Sequence, residues 1–96
     1  MREISITELE NLKIGQAENA RAGTGCTVFL LGENGAPVGL DVRGGGPASR
    51  ESELLKPTAA AQVIHAILLG GGSAFGLDAA GGVMRYLEEH DIGLDV

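Results

Sequence analysis

The sequence has 96 residues and a formal net charge of −6, from 7 Lys and Arg against 13 Asp and Glu. Its basic residues are scattered, and no cluster could neutralise a row of phosphates, which argues against nucleic-acid binding. The charged N-terminus has no apolar signal-peptide core, and the longest apolar run is too short to cross a bilayer. The single cysteine, Cys26, excludes an internal disulfide and a multi-cysteine zinc site, and we therefore expect a cytoplasmic protein.

The N-terminal half has the pattern of short strands, and at this length we expect residues 1–96 to belong to one domain. Strand-like alternation or β-branched composition occurs in residues 2–7, 12–16, 26–31 and 38–42. The turn signal Glu-Asn-Gly at residues 33–35 lies between the last two runs and predicts that they form a β-hairpin. Residues 18–24 and the glycine-rich segment 43–57 are predicted as loops.

Residues 63–89 are the most informative stretch of the sequence. A solidly apolar run over residues 63–69 predicts a buried strand, and a helical pattern over residues 74–89 predicts a helix. Three glycines between them, residues 70–72, permit positive φ and close approach of another group to the backbone. Ser73 is suited to cap the helix, because its hydroxyl can accept a bond from a free N–H of the first turn.

Gly81 and Gly82 are unusual inside this predicted helix. Each destabilises a helix by about 1 kcal/mol relative to alanine, so their presence predicts that another element crosses there at close range. Residues 92–96 have the composition of a strand that has only begun. We therefore expect an N-terminal fragment or one piece of a processed precursor; the alternative is a short protein with a frayed end.

Known catalytic motifs fit the glycine-rich turn poorly. A nucleophile elbow, Gly-x-Ser-x-Gly, would need glycine where Phe75 stands, so the sequence favours Ser73 as a helix cap. The dinucleotide-binding fingerprint Gly-x-Gly-x-x-Gly needs its third glycine three residues after the second. With Gly72 as the second glycine, the third position falls on Phe75 and the motif fails. With Gly71 as the second glycine, it falls on Ala74, which the looser form with Gly or Ala permits. A phosphate-binding P-loop is excluded, because the sequence has no Gly-Lys-Ser/Thr.

The remaining polar candidates do not form a catalytic set. His65, alone in the apolar run, is typical of a hydrogen-bonded core histidine rather than a catalytic base, and with His90 it suggests no metal cluster. Cys26 is interpreted as a small core residue. Asp41 and Arg43 share one face of their strand and form a surface ion pair or orient a substrate. We therefore assign no catalytic residue and no metal ligand within these 96 residues.

Five segments carry a further signal in their order along the chain: residues 24–28 (TGCTV), 38–46 (VGLDVRGGG), 50–55 (Arg-Glu followed by Leu-Leu), 63–66 (VIHA) and 71–84 (GGSAFGLDAAGGVM). In the same order they resemble the N-terminal part of the L-aminopeptidase/D-esterase (DmpA-type) hydrolases, which include β-peptidyl aminopeptidases and nylon-oligomer hydrolases. The resemblance is specific because it does not rest on one glycine motif.

The resemblance implies an α+β fold, as part of a four-layer α/β/β/α sandwich. It implies a precursor that cleaves itself before a downstream Ser or Thr, whose hydroxyl then acts as nucleophile with its own α-amine as base. The implied reaction is amide or ester hydrolysis through an acyl-enzyme, without metal or organic cofactor. The implied partners are the remainder of the precursor, a peptide or amide substrate, and further copies in a homo-oligomer.

The nucleophile and the oxyanion-hole asparagine implied by the resemblance lie beyond residue 96, so this chain alone is expected to be inactive. Gly72, Ser73, Ala74 and Phe75 are the candidates for lining the substrate cleft. Two alternatives remain open: a non-hydrolytic relative such as an acyltransferase on the same scaffold, and a small module that binds an anion with the loop from Gly70 to Ser73.

Overall fold

A computed structural model describes residues 2–46, 48–50 and 63–93 of the chain. Three strands precede a broken helix: β1 (Lys13–Asn19), β2 (Thr24–Leu30), β3 (Ala66–Gly70), α1 (Ser73–Gly76) and α2 (Ala80–Glu89). A 3-10 turn at Leu77–Ala79 joins α1 to α2, and another lies at Ile6–Glu8. The chain is therefore α+β, as expected. Among the described residues, no helix has the length and apolar composition of a membrane span.

The strands form one antiparallel sheet in the order β1-β2-β3, with β2 in the centre. β1 and β2 form a hairpin that closes where Asn19 pairs with Thr24. In the turn between them, Asn19 Oδ1 accepts a hydrogen bond from the Ala22 N–H at 3.1 Å, and Gly23 adopts a φ of 68°. An asparagine that bonds to the backbone and a glycine with positive φ are both typical of tight turns.

The predicted hairpin between residues 26–31 and 38–42 is wrong, because β1 and β3 occupy both edges of β2. Residues 38–42 form no strand, although the predicted turn before them is present: the Gly35 N–H donates to the Gly32 oxygen at 3.2 Å. After it, Ala36 makes one isolated bridge with Ile64. The predicted strand over residues 2–7 is also wrong, since these residues lead into the 3-10 turn at Ile6–Glu8.

Both faces of the sheet carry apolar side chains. Because directly paired residues of antiparallel strands share a face, Ile14, Phe29 and Ile67 lie on one face. Val28 and Leu68 lie on the other. The prediction that residues 63–69 are buried is wrong in the described structure, where Ile67 is 38% and Leu69 58% exposed. Within the described residues, one sheet and one broken helix supply too few layers to cover both faces.

The predicted helix over residues 74–89 is present but interrupted by the 3-10 turn. No element of the described structure crosses at Gly81 and Gly82, since a Cβ atom at either glycine would meet none of its atoms within 4 Å. The crossing therefore stays a prediction. Ile92 and Gly93 follow the helix outside any strand, and the rest of the strand predicted over residues 92–96 lies outside the described residues.

Candidate functional site

The turn that joins β3 to α1 is tied to the start of β2. The Gly71 N–H donates to the Gly25 oxygen at 2.9 Å, which extends the β2–β3 pairing by one bond beyond the strand. The Gly76 N–H then donates to the Gly72 oxygen at 3.0 Å, so the chain folds back on itself over these residues. The predicted sharp change from strand to helix at the glycines is therefore confirmed.

Glycine leaves room for a close neighbouring atom at three positions of this site, a backbone oxygen at Gly76 and Gly25 and a side-chain oxygen at Gly71. A Cβ atom at Gly76 would run into the carbonyl oxygen of Gly71. At Gly71 it would lie 2.6 Å from Thr24 Oγ1, and at Gly25 it would lie 2.7 Å from the Ala17 carbonyl oxygen. All of these separations are shorter than van der Waals contact, so glycine here allows backbone segments to pack where no side chain would fit.

Ser73 is not the helix cap that the sequence predicts. The cap position is occupied by Gly72, with a φ of 91°, and no side-chain hydrogen bond caps α1. Glycine takes this left-handed conformation without steric cost, so it displaces serine from the cap position. Ser73 itself has a φ of 57° and is exposed as the first helical residue. A left-handed conformation costs a residue with a Cβ atom about 1 kcal/mol or more.

Three of the four predicted cleft residues line two surface depressions. Gly72 lines a groove beside the β1–β2 turn, whereas Ala74 and Phe75 line a smaller depression together with Arg50 and Asp78. Ser73 lies between the two in the chain.

The groove beside Gly72 is formed by residues from three separate segments. Its polar lining includes Gln16 and Thr27, whose side chains are joined by a hydrogen bond from Nε2 to Oγ1 at 3.2 Å. Leu69 contributes an apolar wall, and Cys26, a half-buried free thiol, also lines the groove. Sequence reasoning missed Gln16 and Thr27, because only the strand register brings them together.

The second depression is held by a long-range hydrogen bond. Arg50 Nη1 donates to the Leu77 carbonyl oxygen at 3.2 Å, and so ties residue 50 to the 3-10 turn between α1 and α2. Phe75 is 94% exposed beside it. An aromatic ring this exposed is available to pack against another molecule or another part of a larger protein.

The two histidines lie apart from the glycine turn. His65 is half-buried with its ring beside Gly35, where an added Cβ atom would lie 3.1 Å from Nε2. His90 follows α2, and its ring stacks on Tyr86 with centroids 4.1 Å apart. Among the described residues, no group of three or more His, Cys, Asp or Glu side chains is placed to hold a metal ion.

Asp41 and Arg43 form a surface ion pair, one of the two roles that the sequence left open. Arg43 Nε lies 2.6 Å from Asp41 Oδ2, and the Arg43 and Asp41 side chains are 87% and 67% exposed. Exposed pairs of this kind contribute little to stability. The residues lie in the segment without strand structure, so the predicted shared strand face does not explain their contact.

Two N–H groups of the turn and of α1 are used within the protein. The N–H groups of Gly71 and Gly76 are already bonded within the protein, and α1 is a single turn of four residues. A short helix presents only a small dipole. Anion binding by the loop from Gly70 to Ser73 stays a prediction.

Comparisons with known proteins place this chain among peptidases. The sequence model of peptidase family S58 matches residues 5–95. An uncharacterized aminopeptidase of Mycobacterium leprae is 41% identical over 97 residues, covering 94% of this chain and 27% of the relative. An uncharacterized aminopeptidase of Mycobacterium tuberculosis is also 41% identical over 97 residues, covering 94% of this chain and 28% of the relative.

The chain thus spans little more than a quarter of the length of these curated relatives. The family match, by contrast, extends over almost all of its 96 residues. It includes the glycine-rich turn, β2 and both parts of the broken helix. The resemblance to the DmpA-type hydrolases is confirmed, and the chain belongs to peptidase family S58.

Proposed function

We propose that this chain is the N-terminal segment of an autoprocessing amide hydrolase of the aminopeptidase type. The observation that carries the proposal is the family match over residues 5–95, supported by 41% identity to aminopeptidases. In this proposal residues 1–96 are part of one hydrolase domain, and the nucleophilic Ser or Thr belongs to sequence downstream of them. The segment alone is then inactive, because it holds no nucleophile.

The two-sided apolar sheet supports a layered architecture for the whole protein. A sheet that is apolar on both faces needs a cover on each. Ile67 and Leu69 are substantially exposed on the face that also carries Ile14 and Phe29. In a four-layer α/β/β/α sandwich a second sheet, contributed by the remainder of the precursor, covers one face and helices cover the other. Assembly of the processed protein into a homo-oligomer belongs to the same proposal.

The proposed chemistry needs no metal or organic cofactor. Self-cleavage exposes a Ser or Thr at a new N-terminus, where its α-amine accepts the proton of its hydroxyl. The hydroxyl oxygen attacks the carbonyl carbon of an amide or ester, and the amine or alcohol leaves with a proton. Water then hydrolyses the acyl-enzyme and regenerates the hydroxyl. A reducing cytoplasm is the proposed location, consistent with the unpaired Cys26 thiol.

The turn after β3 is the proposed contribution of this segment to the substrate cleft. Gly72 carries no side chain, so a substrate backbone can approach it closely. Phe75, almost fully exposed, is placed to contact an apolar group of the substrate. In this proposal Ser73 and Ala74 complete the wall between the two depressions.

Expression of the complete reading frame that encodes this chain tests the main proposal. The product is expected to split into two chains, the second beginning with Ser or Thr, and to hydrolyse peptides or aminoacyl p-nitroanilides. A product that stays in one piece and hydrolyses neither contradicts the proposal. Transfer of the acyl group to an added amine faster than to water would instead favour the acyltransferase alternative.

A pair of variants of the same full-length protein tests the cleft. Phe75→Ala is expected to raise KM for substrates with an apolar side chain by about tenfold, the effect of losing one apolar contact. Met84→Ala is the matched control, because Met84 is also an exposed apolar residue, at 62%, but lies on α2. If both variants change KM equally, the proposal that Phe75 contacts the substrate is contradicted.

A further inference from the structure

The turn between β2 and the Ala36–Ile64 bridge exposes an Asn-Gly pair. Asn34 is exposed at the tip of this turn, and Gly35 follows it with a φ of 74°. The Gly35 N–H makes one turn hydrogen bond, to the Gly32 oxygen at 3.2 Å, which is at the long end of the normal range. The side-chain amide of Asn34 is thus followed by a backbone nitrogen whose own residue carries no Cβ atom to obstruct it.

From this placement we propose that Asn34 is a site of spontaneous deamidation. The Gly35 nitrogen loses its proton and attacks Asn34 Cγ, so that a bond forms between this nitrogen and Cγ. The bond from Cγ to Nδ2 breaks, and Nδ2 leaves as ammonia, which takes up the proton. Water then opens the resulting succinimide at one of its two carbonyl carbons, giving aspartate or isoaspartate. The net reaction consumes one water and releases one ammonia, without an oxidant, reductant or enzyme.

The other asparagines of the sequence are less suited to this reaction. Asn11 precedes Leu12 and Asn19 precedes Ala20, so each following nitrogen is flanked by a Cβ atom. Asn19 is further restrained, because its Oδ1 accepts the hydrogen bond from the Ala22 N–H. Asparagine is a thermally labile residue in general, and these differences concentrate its reactivity at Asn34.

The structure also indicates what the modification would disturb. Isoaspartate inserts one additional carbon into the main chain directly before Gly35. Gly35 is tightly packed, since a Cβ atom there would lie 2.7 Å from the Ile64 carbonyl oxygen. The next residue, Ala36, exchanges both backbone hydrogen bonds with Ile64, at 2.8 and 2.9 Å. A longer main chain at residue 34 therefore displaces the bridge that holds the segment entering β3.

Trypsin provides internal controls, because its cleavage sites place each asparagine in a separate peptide. Cleavage after Arg2, Lys13, Arg21 and Arg43 gives peptides 3–13, 14–21 and 22–43, which contain Asn11, Asn19 and Asn34 in turn. The native chain is aged in mildly alkaline buffer, digested, and analysed by mass spectrometry with fragmentation to locate the change. Conversion of Asn34 is expected to exceed that of either other asparagine by about tenfold or more, since only glycine leaves the attacking nitrogen unshielded.

Two variants complete the test. Asn34→Gln should retain its amide under the same conditions, because glutamine would have to form a larger ring. Asn34→Asp introduces the negative charge without lengthening the main chain. Protein that contains isoaspartate at residue 34 is expected to unfold at a lower urea concentration than this variant. Conversion of Asn34 no faster than Asn11 and Asn19 would overturn the proposed site. If the isoaspartate form and Asn34→Asp unfold at the same urea concentration, the proposed effect on the Ala36–Ile64 bridge is overturned.

Discussion

The glycines of the turn after β3 and the glycines of α2 are close in sequence but have opposite surroundings. A Cβ atom at Gly71 or Gly76 would overlap a neighbouring atom, which is a side-chain oxygen for Gly71 and a backbone oxygen for Gly76. Gly81 and Gly82 face open space within the described structure. Glycine therefore fixes the geometry of the turn, whereas in α2 it only lowers helix stability. Substitution by alanine separates these two cases.

The largest effect is expected from Gly76→Ala. The new methyl group would overlap the Gly71 carbonyl oxygen and lie 2.8 Å from its carbonyl carbon, so the backbone itself must move. Overpacking of this kind destabilises by about 3 kcal/mol at the upper end of its usual range. Urea unfolding of the full-length protein, followed by circular dichroism, measures the change. A loss of unfolding free energy smaller than that caused by Gly71→Ala would show that the backbone of the turn relaxes around the new methyl group.

Gly71→Ala is expected to destabilise less, by about 1–2 kcal/mol, because the obstructing atom belongs to a side chain. That atom is Thr24 Oγ1, 2.6 Å from the position of the new Cβ. Thr24→Ala removes it, so the double variant should recover most of the loss made by Gly71→Ala. The free energies of unfolding of both single variants and the double variant form a double-mutant cycle. Additive losses in that cycle would contradict the contact.

Gly81→Ala is expected to change stability in the opposite direction. Alanine has a higher helix propensity, and nothing in the described structure lies within 4 Å of the added Cβ. The free energy of unfolding should therefore rise by up to about 1 kcal/mol. Gly82→Ala is a second test at the same end of α2 and should behave alike. Destabilisation in both would indicate that another part of the protein does pack against this surface.

The smallest effect is expected for the ion pair on α2. Arg85 Nε lies 3.2 Å from Glu89 Oε1 in an exposed i,i+4 pair. Both Glu88 and Glu89 are near the helix C-terminus, where a negative charge is slightly unfavourable. Glu88→Gln and Glu89→Gln remove the same charge from the same helix end, so their difference isolates the pair. We expect Glu89→Gln to be less stable by about 0.3 kcal/mol, and an equal or reversed order in thermal unfolding would mean that the pair contributes nothing.

Local patterns in the sequence predicted the features that depend on neighbouring residues. The apolar run and the three glycines after it indicated a strand that turns sharply into a helix, and the structure places β3, the turn and α1 there. The family resemblance was likewise readable from ordered short segments, and the family match confirms it. The Glu-Asn-Gly turn at residues 33–35 is present, because its glycine supplies the positive φ that the turn requires.

Partners distant in sequence were not predictable from such patterns. The run over residues 26–31 was correctly interpreted as a strand, but its hairpin partner was misassigned, since residues 38–42 alternate as convincingly as β1 does. The cap of α1 was assigned to Ser73, although Gly72 takes that position once the turn is folded. The groove beside Gly72 was missed, because Gln16, Thr27 and Leu69 meet only through the register of three strands.

The glycine turn, the helical period that follows it and the membership in a peptidase family could all be recognised from the residues alone. These properties depend on residues close together in the chain, whose preferences are expressed before any tertiary contact forms. Strand pairing, the glycines with close neighbours and the side chains that meet beside Gly72 became apparent only in the folded chain. The reason is that each of these depends on segments that are distant in sequence and meet in space, and the local sequence of one segment does not specify which other segment it will contact.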